Sequence, residues 1–170
     1  MKRYDYYDSP CGRLLLVADG EALCGVYFTG QKHMREIEAD WIRDSRSPVI
    51  VRTKRQLDDY FQGKRRIFDI PLAAPGTPFQ RAVWNAIGGV AFGETISYAE
   101  LARRAGRPGS ARAAGAATGR NPIGIIVPCH RIVGADGSLA GYAGGTDRKR
   151  ALLALEAGAG NGLFQERAAV

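Results

Sequence analysis

Histidine and cysteine are scarce: among 170 residues there are two histidines, His33 and His130, and three cysteines, Cys11, Cys24 and Cys129. An odd cysteine count at wide spacings matches no disulfide framework and suits a reducing compartment. Tetrahedral zinc would need ligands gathered from scattered positions, because Cys11, Cys24 and His33 show no CxxC or HxxxH spacing. Neither a metal nor another cofactor is expected. No apolar run approaches the ~20 residues of a membrane span. The start, Met1-Lys2-Arg3-Tyr4-Asp5, leads into a mixed polar stretch instead of an apolar signal core. Membrane and export functions are therefore excluded, and the cytoplasm is the expected location.

What is present supports a folded chain. Hydrophobic residues make up 45% and charged residues 24%, enough apolar material for a core and too little charge for disorder. The length fits one medium domain or two small ones. The 22 glycines are about twice the usual ~7%, and many follow Gly88, where the chain must turn tightly or let something approach. Lys and Arg number 24 against 17 acids, a net charge of +7, which favours a polyanionic partner without naming one. From Tyr98 to Arg120 the imbalance is local: Arg103, Arg104, Arg107, Arg112 and Arg120 face the single acid Glu100.

Residues 4–7, 14–18 and 23–28 read as strands, parted by turn chemistry at Ser9-Pro10-Cys11-Gly12 and Asp19-Gly20. A helix is predicted over 49–61, with Val51, Leu57, Tyr60 and Phe61 near helical spacing, and a further strand over 67–72. Pro71, Pro75, Gly76 and Pro78 then cluster, which places a boundary between residues 1–76 and 77–170. Beyond it, helices dominate. Thr77 caps one that starts at Pro78 and ends at Gly88-Gly89. Ser97 caps a second over 98–105, with Glu100 completing a capping box. After Gly106-Arg107-Pro108-Gly109, Ser110 caps a third that runs to about residue 118, which makes a helix-turn-helix pattern. That third helix is nearly bare: Ala111, Ala113, Ala114, Gly115, Ala116 and Ala117 surround one long side chain, Arg112. A major-groove reader needs several long polar side chains. Two readings stay open, a smooth face that approaches DNA from the minor groove with little sequence preference, or a packed interior helix in which alanines fit.

Residues 125–127 give a buried-strand signal that runs into Pro128-Cys129-His130-Arg131. A lone cysteine is usually a small core residue, whereas one beside histidine gains a base and a way to lose its proton. Neighbours on a regular strand face opposite ways, so the pair cooperates only if the chain leaves strand geometry or a water bridges it. A last helix over 147–157 has Leu152, Leu153 and Leu155 on its apolar side, with Glu156 near the negative end of the helix dipole. Either His130 or Arg131 partners that carboxylate, or the helix end frays and Glu156 is solvated.

The run Ile126-Val127-Pro128-Cys129-His130-Arg131-Ile132-Val133 resembles the active-site signature of the O6-alkylguanine-DNA alkyltransferases, also called methylated-DNA–protein-cysteine methyltransferases. The resemblance extends from Phe79 to Glu156, through Phe92-Gly93-Glu94-Thr95-Ile96-Ser97-Tyr98, Ala111-Arg112-Ala113-Ala114-Gly115, Asn121-Pro122 and Gly141-Tyr142-Ala143-Gly144-Gly145. The first part is similar more weakly, through Asp8-Ser9-Pro10-Cys11-Gly12 and its strands. The resemblance implies a small ribonuclease-H-like α/β domain over 1–76 and a mostly helical domain over 77–170, with a helix-turn-helix and an active-site cysteine.

It also implies an activity, a single-turnover transfer of the alkyl group of O6-alkylguanine, and of O4-alkylthymine, from duplex DNA to Cys129. His130 would pass the thiol proton through a water, with Glu156 orienting and charging the histidine. Asn121 would be the hinge between the second helix of the motif and the active-site strand. Arg112 would enter the duplex and fill the gap left by a flipped nucleotide, while Tyr98 would rotate the phosphate and donate a hydrogen bond to the guanine. Tyr142 would wall the pocket, with Ala143, Lys149 and Ile132 beside it. Ser97, Ala99 and Arg107 match backbone-contacting positions, and Ala111, Ala113 and Gly115 complete the DNA face. The implied partner is lesion-bearing double-stranded DNA, bound by a monomer, with cooperative binding left open.

Departures from the family pattern are few. Ala143 stands where some members have a serine that bonds the O6 atom. Cys11 replaces a usual aliphatic residue, and its thiol is expected to be buried packing. Cys24 and His33 do not complete the zinc set that some members carry, and a standalone repair protein without adaptor domains is expected. Competing functions are a cysteine hydrolase using Cys129 and His130, which would need an oxyanion hole and would turn over, and a lesion-binding module without transfer. A plain helix-turn-helix regulator would want base-reading side chains.

Overall fold

Turns at Gly12 (φ 126°) and Gly20 (φ 61°) sit where only glycine is comfortable, and they fold the first strands back on one another. β1 (Lys2–Ser9), β2 (Gly12–Asp19) and β3 (Ala22–Phe28) form an antiparallel meander, and β4 (Ile42–Arg43) adds in parallel to β1, giving the order β3-β2-β1-β4. These contacts come from a computed structural model that describes residues 1–139 and 141–158. The expected second domain's residues 140 and 159–170 lie outside the described residues.

β2 is buried from Leu14 through Ala18 because both its faces are covered. Leu14, Leu16 and Ala18 enter the main core, while Leu15 and Val17 pack with Cys24, Tyr27 and Trp41 on the other side. The main core receives α1 (Pro48–Phe61), which buries Val49, Ile50, Leu57, Tyr60 and Phe61. Val51, expected near the apolar face, is 46% exposed.

The strand expected over 67–72 does not form. Ile67 is exposed, and a single bridge, Leu23 to Leu72, is all the pairing there. The buried Gln56 side chain takes the hydrogen bonds a ladder would need: it accepts from Asp69 N at 2.9 Å and donates to Asp69 O at 3.0 Å. Pro71 has no N–H to offer.

α2 (Pro78–Gly88) begins with a complete capping box between Thr77 and Gln80. β5 (Ile96–Ser97) pairs in parallel with β6 (Ile132–Val133). α3 (Tyr98–Arg104) and α4 (Ala111–Gly119) form the helix-turn-helix, and α5 (Thr146–Glu156) closes the described chain. Two caps differ from expectation. Ser97 accepts from Glu100 N, but the Glu100 carboxylate turns outward to Arg103 and Arg104, so the box is half made. Ser110 makes no side-chain cap at all. Among the described residues no helix is long and apolar enough to cross a membrane.

Candidate active site

Asn121 follows α4 and organises the next eight residues. Its side chain donates to Val127 O at 2.8 Å and accepts from Ile123 N at 3.0 Å. Residues 125–127 are consequently a turn and not the expected buried strand, with Ile126 N bonded to Gly124 O and Val127 N to Ile123 O. The β-branched Ile125 is held at φ 68°, a conformation that costs about 1–3 kcal/mol and persists only where surrounding contacts impose it. Directly after, Cys129–Arg131 form one 3-10 turn. That turn removes the strand geometry which would have sent Cys129 and His130 to opposite faces.

α4 packs small residues into the interior on one face, as the second of its two readings expects, and is bare on the other. Ala114, Ala117 and Thr118 are buried, and Trp84 Nε1 donates to Ala117 O at 2.8 Å. Arg112 and Ala113 face outward, and the Arg112 side chain makes no hydrogen bond or ion pair among the described residues. Gly115 lies against the Tyr98 ring, where an added Cβ would sit 3.6 Å from Cδ1. Tyr98, Ala111, Arg112, Gly115 and Gly141 line an open depression of 480 Å³. Ser97 is half-buried and Ala99 exposed, while Arg107 lies over the Phe79 ring at 4.9 Å.

Beneath this face sit the titratable groups. Cys129 is 7% exposed. Burial pushes its thiol up, while a hydrogen bond with Asn121 and the positive charge of Lys149 pull the other way without prevailing. His130 is fully buried, with Nε2 2.7 Å from Glu156 Oε2. Glu156 is also partnered by Arg131, whose Nε donates to Oε1 at 2.7 Å and whose Nη2 donates to Oε2 at 3.1 Å. Tyr60 Oη donates to Oε2 at 2.7 Å. Desolvation pushes the Glu156 carboxyl up, but the donors His130, Arg131 and Tyr60 outweigh it and hold the pKa at about 2.

An ionised carboxylate only accepts hydrogen bonds, so the proton lies on His130 Nε2. Burial keeps the imidazole below its ordinary range and hence neutral. The lone pair is then on Nδ1, a buried atom with no hydrogen-bond partner among the described residues. A neutral base with an available lone pair thus follows the thiol directly in the chain.

Of the remaining expected residues, Lys149 and Tyr142 lie close enough to Cys129 to share its electrostatic field. Lys149 is 1% exposed and donates from Nζ to Ile132 O at 2.5 Å, with the Tyr98 ring centroid 5.9 Å away. Burial lowers its pKa, and Cys129 opposes that shift. Burial pushes the Tyr142 phenol well up, with Cys129 and Cys11 adding to the effect. A Cβ on Gly144 would come 2.6 Å from Tyr142 Cε2 and 2.9 Å from Phe28 Cδ2, so glycine is what lets this ring settle. Ala143 contributes a carbonyl that receives Lys32 N at 3.4 Å. Cys11 is partly and not fully buried, and it packs against the core as expected, as Tyr142 does. No disulfide joins the three cysteines, and no cluster of metal-binding side chains occurs among the described residues.

Two members of the site were missed as site residues. Arg131 appeared only as one possible partner for Glu156, and its bidentate grip was not anticipated. Tyr60 was read as core; the one available signal was a phenol at the buried end of a helix, whose hydroxyl needs a partner.

The chain matches two family models, the ribonuclease-like domain of 6-O-methylguanine DNA methyltransferase over residues 2–74 and its DNA binding domain over residues 78–158. A methylated-DNA--protein-cysteine methyltransferase of Methanosarcina acetivorans is 45% identical over 153 residues, covering 90% of this chain and 97% of that protein. One from Haemophilus influenzae is 43% identical over 154 residues, 90% of this chain and 85% of that protein. The crystal structure of Mycobacterium tuberculosis OGT in complex with DNA aligns with a TM-score of 0.86 at 44% identity, covering 92% of this chain and 94% of that one.

Proposed function

The chain belongs to the 6-O-methylguanine DNA methyltransferase family, and on that premise we propose that it repairs DNA by moving the alkyl group of O6-alkylguanine onto its own Cys129. The observation that carries this reading is the order of protons in the site: a buried thiol, then a neutral histidine with its lone pair on Nδ1, then an ionised carboxylate holding Nε2–H. His130 takes the thiol proton through a bridging water. The thiolate attacks the alkyl carbon, an S–C bond forms, and the C–O bond breaks with its electron pair passing to the base oxygen. The base then takes up a proton and becomes guanine, and Tyr98 is the proposed donor of a hydrogen bond to it. The resulting thioether is stable, and nothing among the described residues of the site offers to cleave it, so each molecule acts once. O4-alkylthymine presents the same kind of O-alkyl carbon and is included in the reading.

An O6-alkyl group lies within the base stack, so the nucleotide must leave the helix at a cost of a few kcal/mol. The outward face of α4 supports entry from the minor groove: it is bare except for Arg112, which is unengaged and able to occupy the vacated position. Ser97, Ala99, Arg107, Ala111, Ala113 and Gly115 are the proposed backbone-contacting positions around it. The depression lined by Tyr98, Arg112 and Gly141 is the proposed mouth for the extruded base, with Tyr142, Ala143, Ile132 and Lys149 deeper. A division of labour at residues 76 and 77 belongs to the same reading: the last bridge of the first part is at Leu72, and α2 opens at Pro78. The protein is read as a monomer, and a working thiol suits the reducing cytoplasm.

Incubation with an O6-methylguanine duplex, followed by peptide mass spectrometry, should place one methyl on Cys129 per protein and then stop. Continued turnover would favour the cysteine hydrolase, and binding without any methyl on Cys129 the lesion-binding module. Arg112→Ala should slow duplex repair by about 10²-fold, the scale of a few kcal/mol of unassisted extrusion. Reaction with free O6-benzylguanine should be nearly unaffected; equal losses on the two substrates would move Arg112 from extrusion into the pocket.

A further inference from the structure

Tyr60 lies at the C-terminal end of α1, 96 residues from Glu156, yet it is fully buried with its hydroxyl on that carboxylate. Oε2 receives three donors, His130 Nε2 and Tyr60 Oη at 2.7 Å each and Arg131 Nη2 at 3.1 Å. Oε1 receives Arg131 Nε at 2.7 Å, with Gly93 N at 3.5 Å. A carboxylate has about four lone-pair sites, two on each oxygen. Three donors therefore share two lone pairs on Oε2, and Tyr60 competes directly with His130. Tyr60 never gives up this role by ionising, because burial and then the Glu156 charge push its phenol well above the ordinary range.

We propose that Tyr60 is a positioning residue for alkyl transfer: its hydroxyl fixes the Glu156 carboxylate against His130 and limits how strongly that carboxylate draws a proton onto the imidazole. The proposal rests on the reading of His130 as the base. The groups facing His130 are Glu156 and Lys149 from α5, Arg131 and Cys129 on its own turn, and Tyr60 acting through Glu156 from α1. Burial, Arg131 and Lys149 favour the neutral ring, and Glu156 favours the charged one. By taking part of the charge on Oε2, Tyr60 acts on the neutral side. The first half of the chain thereby sets the base strength of a residue in the second.

Tyr60→Phe in the full chain keeps the ring contacts with Phe61, Phe68 and Phe92 and removes only the donor. The His130 imidazole, titrated by NMR, should have its midpoint raised by about one pH unit, the scale of one hydrogen bond to a charged group. The acid limb of single-turnover methyl transfer should move up with it, while the high-pH plateau persists. A Tyr60 that merely packs would leave the midpoint in place and lower only the plateau or the melting temperature; an unmoved midpoint in a folded Tyr60→Phe protein overturns the proposal. Should the variant not fold, the parent chain decides. The hydroxyl proton of Tyr60 and the Nε2 proton of His130 share an acceptor, so a nuclear Overhauser contact between them is expected, and its absence is equally fatal. A parent protein that transfers no methyl would instead end the functional reading, while the His130 midpoints would still report on Tyr60.

Discussion

Cys129→Ser is expected to reduce methyl transfer to the uncatalysed background while leaving duplex binding nearly intact. The side chain is 7% exposed and held by Asn121, and a hydroxyl of almost the same shape keeps that contact. Reactivity does not survive the exchange. The thiol is already pushed up by burial, so in the proposed mechanism transfer relies on His130 to take the proton before the thiolate attacks. A serine hydroxyl is a far weaker acid and a poor nucleophile near neutrality, beyond the reach of a buried, neutral imidazole. The proposed binding surface is the outward face of α4, which this substitution does not touch. Filter binding and methyl counting on the same preparation would separate the two properties; residual transfer by the serine protein would remove Cys129 from the role of acceptor.

Arg131→Leu is expected to destabilise the fold by about 3–5 kcal/mol at pH 7, as removing one partner of a buried ion pair does. Leucine fills part of the volume but leaves Glu156 without its bidentate cation and Val90 O without its donor. The loss should depend on pH in a definite sense. In the parent protein the Glu156 pKa is about 2, below its ordinary 4.5. A depressed carboxyl contributes stability that is fully present above the unfolded pKa and disappears as pH falls through the folded one. The contribution is on the order of 3 kcal/mol and should vanish between about pH 5 and pH 2. In the variant, desolvation is opposed by His130 and Tyr60 without the guanidinium, so the carboxyl moves up and acid no longer removes a favourable term. The gap between parent and variant should therefore narrow steadily on acidification. Urea midpoints measured from pH 3 to pH 7 would show it, and a constant gap would mean that Arg131 acts through packing alone.

Much of the architecture was legible because local signals and tertiary contacts agree. The three strands stand between turns that need glycine, and Thr77 and Ser97 mark helix starts with hydroxyls that do accept the third amide. Failures occur where a distant or side-chain partner replaces the expected backbone bond. Residues 67–72 look like a strand until Gln56 occupies Asp69. The run Ile125-Ile126-Val127 has strong strand propensity, yet the Asn121 amide closes it into a turn, and no pattern of hydrophobicity announces that.

The candidate site divides in the same way. Thiol, imidazole and carboxylate were visible as residue types, and family resemblance supplied their order. Adjacent residues alone left open whether Cys129 and His130 could cooperate, and the 3-10 turn answers the geometric half of that question. Glu156 proved to be partnered by His130 and Arg131 together. Tyr60 was illegible because its contact joins positions on opposite sides of the Pro-Gly boundary, which sequence reading treats as separate.

Cys129 belongs to the main hydrophobic core, in one cluster with Leu23, Phe28 and Tyr60 of the first part and Ile132, Leu152 and Leu155 of the second. For the lifetime of the molecule this has a consequence. An alkyl group accepted there would be an insertion into close-packed interior, where extra methyl-sized volume typically costs about 1–3 kcal/mol. That is a sizeable share of the ~5–15 kcal/mol by which domains ordinarily stay folded. A used molecule would open more often, across both halves at once, and so present itself to cellular proteases without any separate tag.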